Sequence, residues 1–453
     1  MLGNNQTERR TKKLKWATVH PISYTEEQEE RKQKMWAQTL ASLIKQMSAF
    51  VNEQNGGESC SSQNDENEEK IRQNVEENEK SLLDEYDDEL PELTELSKEI
   101  CMPVQDKHGY LICRPGYWIT DRFKLIKQLG DGVFARVHLV TDANNENSSK
   151  KALKIAYREA AFHEINVLNS LHSFNSEEKD ELMPDHLVIK LLEHFDYYDH
   201  ICLVFEPYGK SIFDFLKSNG YRPYPLDQIR YIAYQLILAV KFVHDCGIIH
   251  TDLKPENILL VNSSSVPINR STSKRSRKKE FRVLKDASIR LIDFGSAVFD
   301  NQHHEDIITT RHYRAPENGW SYPCDVWSVG CILFELYSGC FLFPRMVDLE
   351  HLAAIERIIG AVPISMKRAS SCGFYKNNNQ LDINRVQRQS VEKRFRKLFD
   401  YMSQQTFEHE QFFDLLDHLL VIDPDLRINL KMAKEHDFFE KLEKPLRLKA
   451  ENG

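Results

Sequence analysis

The sequence predicts an α+β protein of two lobes: a small strand-rich lobe over residues 107–205, then a larger helical lobe over residues 206–446 with a tail at 447–453. Three observations carry that reading. Short apolar runs of strand length crowd into the first stretch and flank a turn containing Gly130 and Gly132. Beyond residue 225 the apolar spacing becomes helical, with Ile229, Ile232, Leu236, Ala239, Val240 and Val243 on one long buried helix. That helix runs into a polar octapeptide, His250-Thr251-Asp252-Leu253-Lys254-Pro255-Glu256-Asn257, which is answered downstream by Asp293-Phe294-Gly295.

Residues 1–106 form a separate extension, basic at Arg9, Arg10, Lys12, Lys13 and Lys15 and acidic between Asp65 and Glu99. Within it, Trp36, Leu40, Leu43, Ile44, Met47 and Val51 recur at helical spacing, which predicts an amphipathic helix that packs on the following domain or takes up a protein partner. The tract from Gly56 to Glu89 is rich in Asn, Gln, Ser and acid. It lacks the apolar content to offset its ordering entropy and is predicted to be disordered.

In the small lobe, strands are predicted at Tyr110-Leu111-Ile112-Cys113, Phe123-Lys124-Leu125-Ile126, Lys151-Ala152-Leu153-Lys154-Ile155, Leu187-Val188-Ile189-Lys190 and Ile201-Cys202-Leu203-Val204-Phe205. A helix is expected from Tyr157 to Leu171, with Ile165, Leu168 and Leu171 on one side and Glu164 beside them. The turn Leu129-Gly130-Asp131-Gly132 opens a hairpin whose backbone N–H groups can close over phosphates because glycine has no side chain in the way. Val137 is placed to cover a base, with Ala152 beside it, and Phe205 to stand behind that base. Glu206-Pro207-Tyr208-Gly209 reads as the hinge, so Glu206 and Tyr208 complete the nucleotide-binding set.

The octapeptide and its answering triplet supply the residue types that phosphoryl transfer requires: a carboxylate for the attacking hydroxyl, oxygen ligands for metal, and cations for the phosphates. Asp252 is the candidate base, Asn257 and Asp293 the candidate metal ligands, and Lys254 the cation beside the transferred group. Lys154 is the candidate to hold phosphates, with Glu164 fixing its ammonium. Glu256 lies at the mouth of the site and is expected either to read an arginine on the N-terminal side of an acceptor serine or to brace the loop. Thr251 stands where many such loops carry an arginine that pairs with a phosphorylated segment, so that switch is expected to be missing by this route. Glu317 and Arg427 are predicted to form a buried ion pair.

Composition sets outer limits. A hydrophobic content of 41% over 453 residues is enough for a large core, and a net charge of −9 argues against a nucleic-acid-binding body. The basic run from Lys274 to Lys279 lies in an insert and lacks aromatic interleaving. Nine scattered cysteines with no C-x-x-C pair suit a reducing compartment. No signal peptide opens the chain and no apolar run is long enough to span a bilayer, so an intracellular enzyme without membrane attachment is expected.

From Lys107 to Leu446 the chain resembles the eukaryotic protein kinases, and more closely the Cdc-like, or LAMMER, group. The octapeptide, Thr310-Arg311-His312-Tyr313-Arg314-Ala315-Pro316-Glu317, and Glu350-His351-Leu352-Ala353-Ala354-Ile355-Glu356-Arg357 carry the likeness, the last with Ala354 and Ile355 where the group has two methionines. The resemblance implies a bilobal kinase fold, ATP and magnesium as cofactors, and Ser/Thr acceptors with dual specificity. It further implies Arg/Ser-rich splicing factors as protein substrates, a location in the nucleus or also the cytoplasm, and Thr310 beside the bound acceptor. Two connections are shorter than the group's pattern. Lys154 and Glu164 are 164 − 154 = 10 residues apart, about five fewer than usual, and Glu317 to Asp325 is about four residues short. If that trimming kept Glu164 from Lys154, the chain would be a pseudokinase scaffold.

Overall fold

The computed structural model describes residues 111–132, 135–144, 149–174, 185–268, 281–302, 309–317, 319–369, 374–376 and 379–452. The expected N-terminal helix, the acidic tract and the basic insert run lie outside the described residues.

The small lobe is a six-stranded antiparallel sheet ordered β1-β2-β3-β4-β6-β5. Its strands are β1 (Trp118–Ile119), β2 (Phe123–Asp131), β3 (Ala135–Asp142), β4 (Lys150–Tyr157), β5 (Glu193–Tyr197) and β6 (His200–Phe205). Strand side chains alternate between faces, and the two faces enter different cores. Leu153, Ile155, Cys202 and Val204 join Ile119, Phe123 and Val140 on one side. Ala152, Ala156, Ile201, Leu203 and Phe205 join the main core on the other. Lys154 shares the parity of Ala152 and Ala156, so it points to the face covered by helix α1 (Arg158–Ser173). That helix buries Ala161, Glu164, Ile165, Leu168 and Leu171, a stripe spaced three and four residues apart. β4 ends at Tyr157 and α1 begins at Arg158, so no linker separates them.

Two expected strands take other forms. Leu111 makes an isolated bridge and the residues after it are irregular, because Pro115 and Gly116 turn the chain there. Residues Asp185–Leu187 make a 3₁₀ turn, and Val188 forms a single parallel bridge to Leu291. Their apolar side chains are buried all the same, at 1% exposure for Leu187 and 2% for Val188. Burial, rather than strand pairing, is what the sequence pattern reported.

In the large lobe α2 (Ile212–Ser218) is followed by α3 (Leu226–Asp245), whose burial extends nearly all round, including Tyr231, Tyr234 and Gln235. A helix apolar on every side belongs in the centre of a domain. It delivers the short strand β7 (Ile248–Ile249) and the octapeptide, followed by β8 (Ile258–Leu260). After the hairpin β9 (Ser265–Ile268) and β10 (Phe281–Leu284), β11 (Ile289–Leu291) pairs with β8, and β12 (Val298–Phe299) pairs with β7. These two ladders hold the answering triplet between their ends.

Helix α4 (Pro323–Ser338) has Pro323 in its first turn and ends on Gly339 at φ +75. A Cβ at Gly339 would stand 2.0 Å from the Tyr221 carbonyl oxygen, so no other residue fits there. The helix carries the fully buried Trp327 and Asp325. α5 (Asp348–Ile358) contains the Glu350 to Arg357 segment, with Ala353, Ala354 and Ile355 in the core. The helices α6 (Ile364–Ala369), α7 (Arg385–Arg394), α8 (Phe407–Leu419), α9 (Leu430–Ala433) and α10 (Lys444–Asn452) complete the lobe. No helix among the described residues is long and apolar enough to cross a membrane.

Candidate active site

The nucleotide-binding candidates of the small lobe lie on neighbouring interior strands of the sheet. Gly130 pairs with Val137, Val137 with Lys154, and Ala152 with Phe205, so five positions on four adjacent strands converge. Gly132 N–H donates to the Ala135 carbonyl at 2.9 Å and closes the hairpin base. A Cβ at Gly130 would meet nothing closer than the Val137 Cβ at 3.9 Å. Packing within the protein therefore does not require glycine at 130, whereas a phosphate laid against the backbone would. Leu129 is exposed on the same strand. Glu206 takes an ion pair from Lys151, and Tyr208 lies under the Arg290 guanidinium at 5.6 Å.

The shortened connection does not separate Lys154 from Glu164. Lys154 Nζ lies 2.7 Å from Glu164 Oε2 and 2.9 Å from Asp293 Oδ1. Burial alone would push the Lys154 ammonium down, but the two carboxylates outweigh it and hold its pKa up. The Lys154 charge in turn holds the partly exposed Asp293 carboxyl at about 2, so it is ionised throughout the neutral range. A strand that passes straight into a helix suffices for this pair because Glu164 lies on the helix face turned to the sheet.

On the opposite side Asp252 is fixed at both oxygens. Thr310 Oγ1 donates to Oδ1 at 2.8 Å and Lys254 Nζ donates to Oδ2 at 2.6 Å. Asn257 Nδ2 donates to the Asp252 backbone carbonyl at 2.9 Å, which turns the amide oxygen away from that contact. Thr251 and Asp293 both adopt φ +65, and Thr309 adopts +66. Such backbone at a non-glycine residue costs on the order of 1–3 kcal/mol and persists only where neighbours enforce it. At Thr251 the enforcer is Asp325, whose carboxylate accepts from His250 N–H at 2.8 Å and Thr251 N–H at 3.0 Å, and from His244 Nε2 at 2.9 Å. Burial pushes the Asp325 carboxyl up, but these donors hold it below its ordinary value. Thr251 Oγ1 donates to the Ser296 carbonyl at 2.7 Å.

Glu256 is exposed, and its carboxylate accepts no bond from another residue among the described residues. Partial burial pushes its pKa up; Asp252 and Asp214 add to the rise and Lys254 opposes it. Glu317 and Arg427 form the expected buried pair, bidentate at 2.8 and 3.0 Å, with Arg427 also donating to the Pro323 and Val421 carbonyls. Sequence reasoning missed the work of Asp325 and the buried bond from Tyr313 to Glu335 at 2.7 Å. Asp325 sits in a legible Asp-Val-Trp-Ser motif, but its partners lie seventy-four and seventy-five residues away, which spacing cannot show.

Fold and site together define a phosphotransferase of the protein kinase class. Residues 123–439 match the protein kinase domain family. The chain is 42% identical over 348 residues to the human (Homo sapiens) dual specificity protein kinase CLK2, covering 74% of this chain and 68% of that one. It is 44% identical over 364 residues to the serine/threonine-protein kinase Doa of Drosophila melanogaster, covering 76% of this chain and 42% of that longer one. The crystal structure of the PF14_0431 kinase domain superposes with a TM-score of 0.64 at 30% identity, covering 74% of this chain and all of that one. The chain belongs to the Cdc-like dual-specificity family of protein kinases and is an enzyme of that kind.

Proposed function

We propose that the chain transfers the γ-phosphate of ATP to serine and threonine, with tyrosine as a further acceptor, and that its substrates are Arg/Ser-rich proteins of the nucleus. The observation that carries the substrate reading is the exposed Glu256 carboxylate, which takes no bond from any other described residue and feels the negative charge of Asp252 and Asp214. A guanidinium from the substrate balances that charge through bidentate bonds that an ammonium cannot reproduce. The family resemblance supports the same substrates from other residues. The basic run from Lys274 to Lys279 is a sequence of the kind that nuclear import reads.

In this reading Asp252 orients the acceptor hydroxyl and takes its proton at Oδ1 or Oδ2, both already aligned by Thr310 and Lys254. Lys254 then faces the transferred group, and Lys154 holds the remaining phosphates while Gly130 and Gly132 admit them to the backbone. Asn257 and Asp293 offer amide and carboxylate oxygens, the donor set a hard divalent cation such as Mg2+ takes. The ionised Asp293 carries its Lys154 contact on Oδ1, which leaves Oδ2 for that purpose. When bound, the cation supplies charge neutralisation for the phosphates. Catalysis by this chain is then positioning and electrostatic stabilisation.

The test uses paired peptides with arginine or alanine upstream of the acceptor serine. Wild type is expected to prefer arginine by about tenfold or more, from a charge-assisted bond of roughly 1.5–3 kcal/mol, and Glu256→Gln to lose most of that preference. Undiminished preference in Glu256→Gln would make Glu256 a structural brace and place the reader elsewhere.

A further inference from the structure

We infer that His163, together with Thr251, is a positioning residue: it clamps the segment that follows Asp293 between the two lobes and holds the active arrangement without a phosphate. His163 Nε2 lies 2.7 Å from the Ala297 carbonyl oxygen, and Thr251 Oγ1 lies 2.7 Å from the carbonyl of the preceding residue, Ser296. Two consecutive carbonyls are therefore taken by opposite sides of the cleft, one by α1 of the small lobe and one by the loop that carries Asp252. Ala297 is fully buried, so its carbonyl depends on a protein donor.

The position of His163 in the helix gives the contact its leverage. It immediately precedes Glu164, which pairs with Lys154, and Lys154 in turn pairs with Asp293. The dipeptide thus holds Ala297 directly and Asp293 through Lys154, on either side of the turn after Asp293. A shift of this segment would carry Asp293 away from Lys154, and a rotation of α1 would carry Glu164 away. The His163 bond opposes both movements. On the far side, β12 pairs with β7 directly before the octapeptide, so the same segment is tied to the catalytic loop by backbone as well.

The clamp is not a proton switch. Since Ala297 contributes only an acceptor, His163 must donate from Nε2, which both the neutral tautomer and the imidazolium can do. A hydroxyl at 251 and an imidazole at 163 bonding straight to backbone carbonyls accomplish locally what an ordered phosphate would otherwise have to do through a cation.

The experiment compares wild type, His163→Ala and His163→Gln as phosphatase-treated full-length protein, measuring kcat, KM for ATP and peptide, and thermal midpoint. Glutamine places a side-chain N–H at a similar reach. Loss of one buried hydrogen bond predicts that His163→Ala falls about fivefold to tenfold in kcat, with KM values and midpoint little changed. His163→Gln is expected to recover most of the loss, and amide exchange over residues 294–299 to quicken only in the alanine variant. Unchanged kcat in His163→Ala overturns the inference. So does an equal loss in His163→Ala and His163→Gln, or a kcat loss that merely tracks a fall in thermal midpoint.

Discussion

Asp252 is held from three sides, with Lys254 and Thr310 donating to its carboxylate and Asn257 to its backbone carbonyl. Asparagine at this position keeps the shape but can accept at only one of the two atoms, and it cannot take up a proton. Asp252→Asn is expected to lower kcat by about 10² to 10⁴, with KM for ATP little affected, in a radiolabelled-ATP transfer assay. Equal transfer by variant and wild type would remove Asp252 from its assigned role. Thr251 carries a second expectation. It meets a backbone carbonyl and not a phosphate, so phosphatase-treated enzyme is expected to retain full activity. Inactive dephosphorylated protein would show that Arg311 or Arg314 reads a phosphate instead.

Among the elements, the turn around Glu317 and the loop bearing Arg427 are joined by a pair whose side chains are 4% and 0% exposed. Breaking one partner of a buried pair leaves an uncompensated charge, typically worth about 3–5 kcal/mol. Arg427→Met is expected to destabilise the protein by that order in a denaturant titration. Glu317→Gln is expected to cost less, because the guanidinium keeps the carbonyls of Pro323, Val421 and Ile422. The reverse order would mean that Arg427 acts by charge alone. This pair was legible in the sequence, as were Lys154 with Glu164, because both partners sit in motifs of fixed residue type. The strands around Leu111 and Val188 were not, since an apolar run reports burial and the backbone there found other ways to be satisfied. The contacts of His163 and Thr251 escaped for a different reason: their partners are backbone carbonyls, which leave no mark on residue identity.

For the molecule as a whole, acidity should act on both lobes at once. His138 in the small lobe is 3% exposed and His351 in the large lobe 8%, and each has an Nε2 without a hydrogen-bond partner. Burial pushes both down to about 4, helped by Arg136 in the first case and by Arg311 and Arg314 in the second. Between about 6.5 and 4 the unfolded chain therefore binds protons that the folded chain refuses. Stability is fully present above 6.5 and declines as pH falls toward 4, by roughly 3 kcal/mol for each histidine at most. Denaturant titrations at pH 7.5, 5.5 and 4.5 should show the decline, and His138→Gln with His351→Gln should flatten it. A wild-type curve already flat across that range would contradict the assignment. The direct passage of β4 into α1 bears on a different matter, the design of inhibitors. Outward swing of α1 requires β4 to part from β3 and β6, its partners in the middle of the sheet. Compounds that need the space opened by such a swing should bind this kinase poorly, whereas compounds that contact only Val137, Ala152 and Tyr208 should meet no such resistance.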